Sequence, residues 1–140
     1  MGERLEDPRI QRFLATKEVV VLATVQADGS PLAMPVWLLH DPKALTMISE
    51  AGTQKVRNLR REPRVCVVAE AGTPLDYRGV IIRGRAEFLA ESEERRALVR
   101  AFLEKYRPAL ERRWGGNAMP PDRVMFRIVP DRVQSWGLPA

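Results

Sequence analysis

At 140 residues and 15.9 kDa the chain has room for one domain with one sizeable core, and a second domain of ordinary size would not fit. An apolar share of 45% beside a charged share of 29% is that of a globular protein and excludes a disordered or fibrous one. The formal charge of +5 points to an anionic partner without choosing among nucleic acid, a phosphorylated cofactor and an acidic membrane surface.

No apolar run approaches the ~18 residues of a membrane span, and residues 1–16 are too polar for a leader, so a cytoplasmic protein is expected. With one histidine (His40) and one cysteine (Cys66), neither an intramolecular disulfide nor a Cys/His zinc site can form within one chain. Only a carboxylate metal site survives, and none is predicted. A Ser-His-acid triad would need His40, which sits in the turn-like His40-Asp41-Pro42-Lys43 with no nucleophile elbow nearby. Both His40 and Cys66 are expected to be dispensable, and no catalytic side chain is assigned.

In chain order, Asp7 caps and Pro8 opens a helix whose Ile10, Phe13 and Leu14 share a face, ending near Thr16. The nearly unbroken apolar run within Glu18 to Gln26 predicts a strand buried on both faces. Ala27-Asp28-Gly29-Ser30 supplies a hairpin turn. The returning strand, Pro31 to Leu39, carries Pro31 and Pro35, which cannot donate ladder hydrogen bonds and so mark an edge or an irregularity. A third strand covers Ala44 to Ser49. Thr53 then caps a helix with Val56 and Leu59 inward and Lys55, Arg57, Asn58, Arg60 and Arg61 on its polar side, ended by Pro63.

Strands follow at Arg64 to Ala69 and at Tyr77 to Leu89, the latter with Gly84 at a bulge or close approach. Ser92 caps a long helix bearing Leu98, Phe102 and Tyr106 until Pro108; a short helix from Ala109 to Trp114 ends at Gly115. A sixth strand, Arg123 to Trp136, closes the chain, with Pro130 at a bulge. Turns too short for crossovers make the sheet antiparallel, so the expectation is a mainly β, six-stranded antiparallel barrel with peripheral helices, one domain over residues 1–140.

The densest candidate for chemistry runs from Ser49 to Arg64. There a strand end feeds a glycine-containing turn into a helix N-terminus, whose free N–H groups and positive dipole favour an anion such as phosphate. Thr53 adds a hydroxyl and Lys55 an ammonium. An ordinary capped helix with a solvated basic face remains the competing reading.

The succession Val21-Leu-Ala-Thr-Val25, Asp28-Gly29, Pro35-Val-Trp37, Lys55-Val-Arg-Asn-Leu-Arg-Arg-Glu-Pro-Arg-Val65, Arg83-Gly-Arg-Ala-Glu87 and Arg132-Val-Gln-Ser-Trp-Gly137 resembles the pyridoxamine 5'-phosphate-oxidase-like split-barrel superfamily. Within it the chain is most similar to the deazaflavin branch that uses coenzyme F-420. The resemblance implies a six-stranded FMN-binding-type split β-barrel of Greek-key connectivity, and a homodimer with a flavin or deazaflavin in each interface groove. By the same resemblance Ser49, Thr53, Lys55, Val56, Arg57 and Asn58 lie along the cofactor phosphate. Pro35, Val36 and Trp37 run under its ring system, with Trp136 near the groove and Tyr77 in the region that the second subunit contributes.

The implied activity is hydride transfer between the cofactor and a small unsaturated or heterocyclic substrate, in a groove lined by Met34, Trp37 and Trp136. Two departures count against vitamin B6 oxidation: Ala33 to Leu38 holds no basic residue, and Gln54 stands where the B6 oxidases place Arg before the phosphate lysine. The deazaflavin branch tolerates an apolar second strand, and Arg57, Arg60, Arg61 and Arg64 suit that cofactor's anionic tail; FMN is the second choice. The alternatives are a protein that carries FMN, deazaflavin or haem without turnover, and nucleic-acid binding through the Arg-rich face, which lacks clustered exposed aromatics and a groove-reading motif.

Overall fold

The computed structural model describes residues 2–140; Met1, the first residue of the stretch weighed as a leader, lies outside the described residues. Helix α1 (Pro8–Ala15) starts where Asp7 accepts the Arg9 amide at 2.9 Å, and it buries Ile10, Phe13 and Leu14. Strands β1 (Val20–Val25) and β2 (Pro31–Val36) form a hairpin closed by Gln26 N–H to Ser30 C=O at 2.8 Å, with Gly29 at φ 86° supplying the left-handed turn residue. After β3 (Leu39–His40) come β4 (Leu45–Glu50), α2 (Gln54–Arg61), β5 (Arg64–Thr73) and β6 (Asp76–Phe88). An excursion carrying α3 (Glu93–Tyr106) and α4 (Ala109–Trp114) then leads to β7 (Arg123–Trp136).

All seven strands belong to one antiparallel sheet in the order β2-β1-β5-β6-β7-β4-β3. β2 and β3 are separated by only Trp37 and Leu38, yet they occupy opposite ends of that order. The sheet must therefore curl until its two edges meet, and the edges meet without pairing. The result is a split barrel, mainly β, as the sequence suggested.

Several expectations need correction. The sheet has seven strands because the returning strand breaks after Val36 and resumes as the two-residue β3. β5 runs on to Thr73 instead of stopping at Ala69, zipped to β6 through Thr73 opposite Asp76. β1 is buried on one face only: Val20, Leu22 and Thr24 point inward, whereas Val21 is 41% exposed. On α2, Lys55 and Asn58 are buried beside Val56 and Leu59 instead of facing solvent. The bulge at Gly84 is present: Arg83 pairs with Arg132 and Gly84 with Pro130, so Asp131 is the extra residue. A Cβ on Gly84 would lie 2.2 Å from the Val129 carbonyl oxygen, which explains the glycine.

Two apolar clusters follow from the curl. One fills the barrel, with Leu22, Leu45, Met47, Ile82, Phe126 and Ile128 at its centre. The other lies outside it, where Phe102, Leu103, Tyr106 and Leu110 of the excursion pack on Trp37, Leu39 and Ile48. Tyr106 joins the second cluster to the seam. Its hydroxyl accepts the Leu38 N–H at 2.9 Å and donates to the Glu18 carbonyl at 2.7 Å, while Lys105 Nζ donates to the Leu38 carbonyl at 2.8 Å. The N–H and C=O of Leu38, which lose ladder partners at the break, are thereby satisfied.

Tyr106→Phe strands both the Leu38 N–H and the Glu18 carbonyl and is expected to cost about 1 to 3 kcal/mol in urea denaturation. Burial pushes the Tyr106 phenol up to about 12 from 10.0. A raised folded-state value means the contribution is complete below pH 10 and is lost as pH rises through about 12. The variant should therefore lose less stability than the wild type over that alkaline range.

Candidate functional site

Where the seam, the end of β4 and the start of α2 converge under the excursion, the surface opens into a cavity of about 600 Å³. That is within the usual size range of small-molecule and cofactor sites. Six of the residues singled out from the sequence line it: Pro35, Val36, Trp37, Ser49, Thr53 and Lys55. The break after Val36 turns Trp37 out of the sheet and onto Tyr106, ring centroids 4.5 Å apart and planes at 10°. Pro35, with no N–H to donate, sits next to this break on the edge strand, where no ladder partner is lost.

The polar end of the cavity is built by α2. Thr53 caps it, its hydroxyl accepting the Val56 N–H at 3.4 Å and donating to the Glu50 carbonyl at 3.0 Å. The amide N–H groups of Gln54 and Lys55 meet no backbone carbonyl among the described residues, as expected of a first helical turn. Lys55 folds back so that Nζ donates to Ser49 Oγ at 2.5 Å. No carboxylate pairs with this ammonium among the described residues. Burial lowers the Lys55 pKa from its ordinary value, opposed by the charge of Glu50. A partly dehydrated ammonium, a hydroxyl and two free amides form a donor set suited to a phosphate group.

The other five residues lie elsewhere. Asn58 is fully buried beneath α2, donating to Thr24 Oγ1 at 2.9 Å and accepting from Gln54 Nε2 at 2.7 Å, so its side chain is taken up within the protein. Val56 is buried, and Arg57 turns back onto the Gly52 carbonyl and Gln54 Oε1. Tyr77 and Trp136 pack edge to face at 6.4 Å, outside the cavity wall. The Trp136 indole N–H is buried with no acceptor among the described residues.

Sequence reasoning missed Glu50, Arg113, Trp114 and Arg123, all in the cavity wall. Arg123 is ion-paired with Glu50 at 3.4 Å and with Asp122. Leu110 and Trp114, four apart on α4, carried a helical-face signal; Arg113 carried none. His40 is not in the wall: its Nδ1 lies 2.8 Å from Gln11 Oε1, and burial together with the charge of Lys105 lowers its pKa. Among the described residues no group of three or more His, Cys, Asp or Glu could hold a metal ion, and no helix is long and apolar enough to cross a membrane.

The family model described as pyridoxamine 5'-phosphate oxidase matches residues 6–137. The chain belongs to that family. Among solved structures, the conserved hypothetical protein Rv2991 from Mycobacterium tuberculosis shares 32% identity and a TM-score of 0.78, over 94% of this chain and 84% of that one. A provisionally assigned pyridoxamine 5'-phosphate oxidase from Listeria innocua shares 28% identity and a TM-score of 0.75, over 96% and 99%. The haem storage protein HutZ from Vibrio cholerae has the same fold at 20% identity and a TM-score of 0.77, over 97% and 96%.

Because its folded-state pKa is depressed, the Lys55 ammonium holds stability down at neutral pH, and stability is regained as pH rises through that lowered value. Lys55→Met, which replaces the ammonium with an apolar chain of similar length, is expected to raise ligand-free stability by about 1 kcal/mol. Added inorganic phosphate should stabilise the wild type and leave the variant unmoved, both read from denaturation midpoints.

Proposed function

We propose that the chain is a flavin- or deazaflavin-dependent oxidoreductase that transfers a hydride between a cofactor held in the cavity and a small unsaturated or heterocyclic substrate. The observation that carries this reading is the Lys55 ammonium, buried at a helix N-terminus, bonded to Ser49 and unpaired with any carboxylate among the described residues. Such a group costs stability in the free protein and is explained by an anion that it meets on binding. Lys55, Ser49 and the first amides of α2 hold the phosphate, Thr53 keeps that turn open, and Pro35, Val36 and Trp37 wall the ring system. The bound cofactor supplies the hydride chemistry, and the protein positions it and excludes water.

Coenzyme F-420 is preferred over FMN. β2 offers apolar Ala33, Met34 and Pro35 where the B6 oxidases carry basic residues. Arg57, Arg60 and Arg61 are exposed on α2, the helix whose start lines the cavity, with no carboxylate partner among the described residues, whereas Arg64 is paired with Glu62 at 2.9 Å.

A homodimer with the cofactor at its interface completes the reading. Pro35, Val21, Val68 and Ile81 are direct cross-strand neighbours on the outward face of β2, β1, β5 and β6. They form an uncovered apolar row that reaches the cavity at Pro35. A second copy on this row gives β1 the two buried faces its composition suggests. The unpaired Trp136 N–H and the 60% exposed Tyr77 support a role for both at the partner's groove. A haem-carrying role, as in HutZ, finds no histidine in this cavity wall.

Equilibrium titration with FMN, riboflavin and coenzyme F-420 tests the proposal. Lys55→Ala should weaken the two phosphorylated cofactors about ten- to a hundredfold and leave riboflavin unaffected. For FMN, which lacks the anionic tail of F-420, Arg61→Ala, further along α2, controls for general charge. Equal weakening by both variants, or none by Lys55→Ala, overturns the phosphate site. A monomer in sedimentation at micromolar concentration overturns the interface, and cofactor uptake without turnover of any acceptor makes the protein a carrier.

A further inference from the structure

Of the three cations in the cavity wall, Arg123 is offset by Glu50 and Asp122, and Lys55 is accounted for by the phosphate. Arg113 has no such account. It belongs to the last turn of α4, and no carboxylate lies within ion-pair distance among the described residues, the nearby Glu111 being paired with Arg107. Its guanidinium carbon lies 5.1 Å from the centroid of the Trp37 ring. That ring is backed at 4.5 Å by Tyr106, whose hydroxyl is fixed to the seam backbone. The cation is thus parked on a braced aromatic platform, with Phe102, Leu110 and Trp114 supplying apolar wall beside it.

A cation held over a ring by its face keeps its N–H fork free, and that fork matches the two oxygens of a carboxylate. We propose that Arg113 anchors the substrate through a carboxylate, so that the preferred substrates are flat, unsaturated acids whose apolar body lies against Leu110 and Trp114. This rests on the function proposed above only in placing the cofactor phosphate at Lys55; Arg113 is then a specificity-determining residue on a separate wall of the same cavity. It also distinguishes the two cationic groups by chemistry, a compact ammonium for phosphate and a planar fork for carboxylate.

The test compares an acid with its uncharged amide, cinnamate against cinnamamide, titrated by tryptophan fluorescence into FMN-loaded wild type, Arg113→Gln and Arg113→Lys. The wild type should prefer the acid about tenfold or more, Arg113→Gln should abolish the preference, and Arg113→Lys should keep part of it. FMN affinity should be the same in all three. Equal affinity of wild type for acid and amide, or a preference that survives in Arg113→Gln, overturns the proposal. Weaker FMN binding by Arg113→Gln also overturns it, by assigning Arg113 to the cofactor. Failure of the cofactor reading shows separately, as no uptake of FMN or F-420; the same titration on the cofactor-free protein must then still show the acid preference and its loss in Arg113→Gln, or the proposal falls too.

Discussion

The backbone at Leu38 has to be satisfied outside the sheet, and much of the molecule is arranged around that requirement. A sheet whose first and last strands are joined by two residues can only curl, and at the join neither edge supplies a ladder partner. Tyr106 and Lys105 provide the missing acceptor and donors from a helix more than sixty residues away in sequence. Because the hydroxyl is fixed, the Tyr106 ring is fixed, and Trp37 has a surface to lie on. The same contacts that close the barrel therefore shape the cavity beside it.

The second constraint is electrostatic. The ammonium of Lys55 is drawn out of water and given one hydroxyl, and no carboxylate among the described residues lies within ion-pair distance of it. Folding alone has little use for such a group, since an apolar residue would fill the space at lower cost. Glu50 is close enough to raise the Lys55 pKa against the effect of burial, yet it spends its ion pair on Arg123. The Lys55 ammonium is consequently left without an ion pair of its own among the described residues.

Much of the fold was legible because its signals are local. Asp7-Pro8, Thr53 and Ser92 marked helix starts, Gly29 a turn and Gly84 a bulge, and each does its work within a few residues. The end of β2 at Val36 was not legible, since the break is imposed by barrel closure and is rescued by a tyrosine at position 106. The candidate cavity was half legible for the same reason. Ser49, Thr53 and Lys55 sit together in sequence around a helix start. Arg113 and Trp114 reach the cavity only through the packing of the excursion on Ile48 and Trp37, which no spacing announces. Asn58 illustrates the converse: a polar residue among arginines reads as solvated, while one turn of helix carries it under α2 to Thr24.

The excursion leaves and rejoins the sheet at one place: Phe88 pairs with Phe126, and the Leu89 N–H donates to the Met125 carbonyl at 2.9 Å. One end follows from β6 and the other enters β7, which is paired with both β6 and β4, so the register of the barrel is set by residues outside α4. Leu110, Arg113 and Trp114 all belong to that insert, whereas Lys55 and Ser49 belong to the frame. On the proposed reading, the part of the cavity that discriminates between ligands is detachable in evolution from the part that holds them. Diversity in what is accepted would then need changes in only about six residues of α4, with the Lys55 end and the seam left as they are.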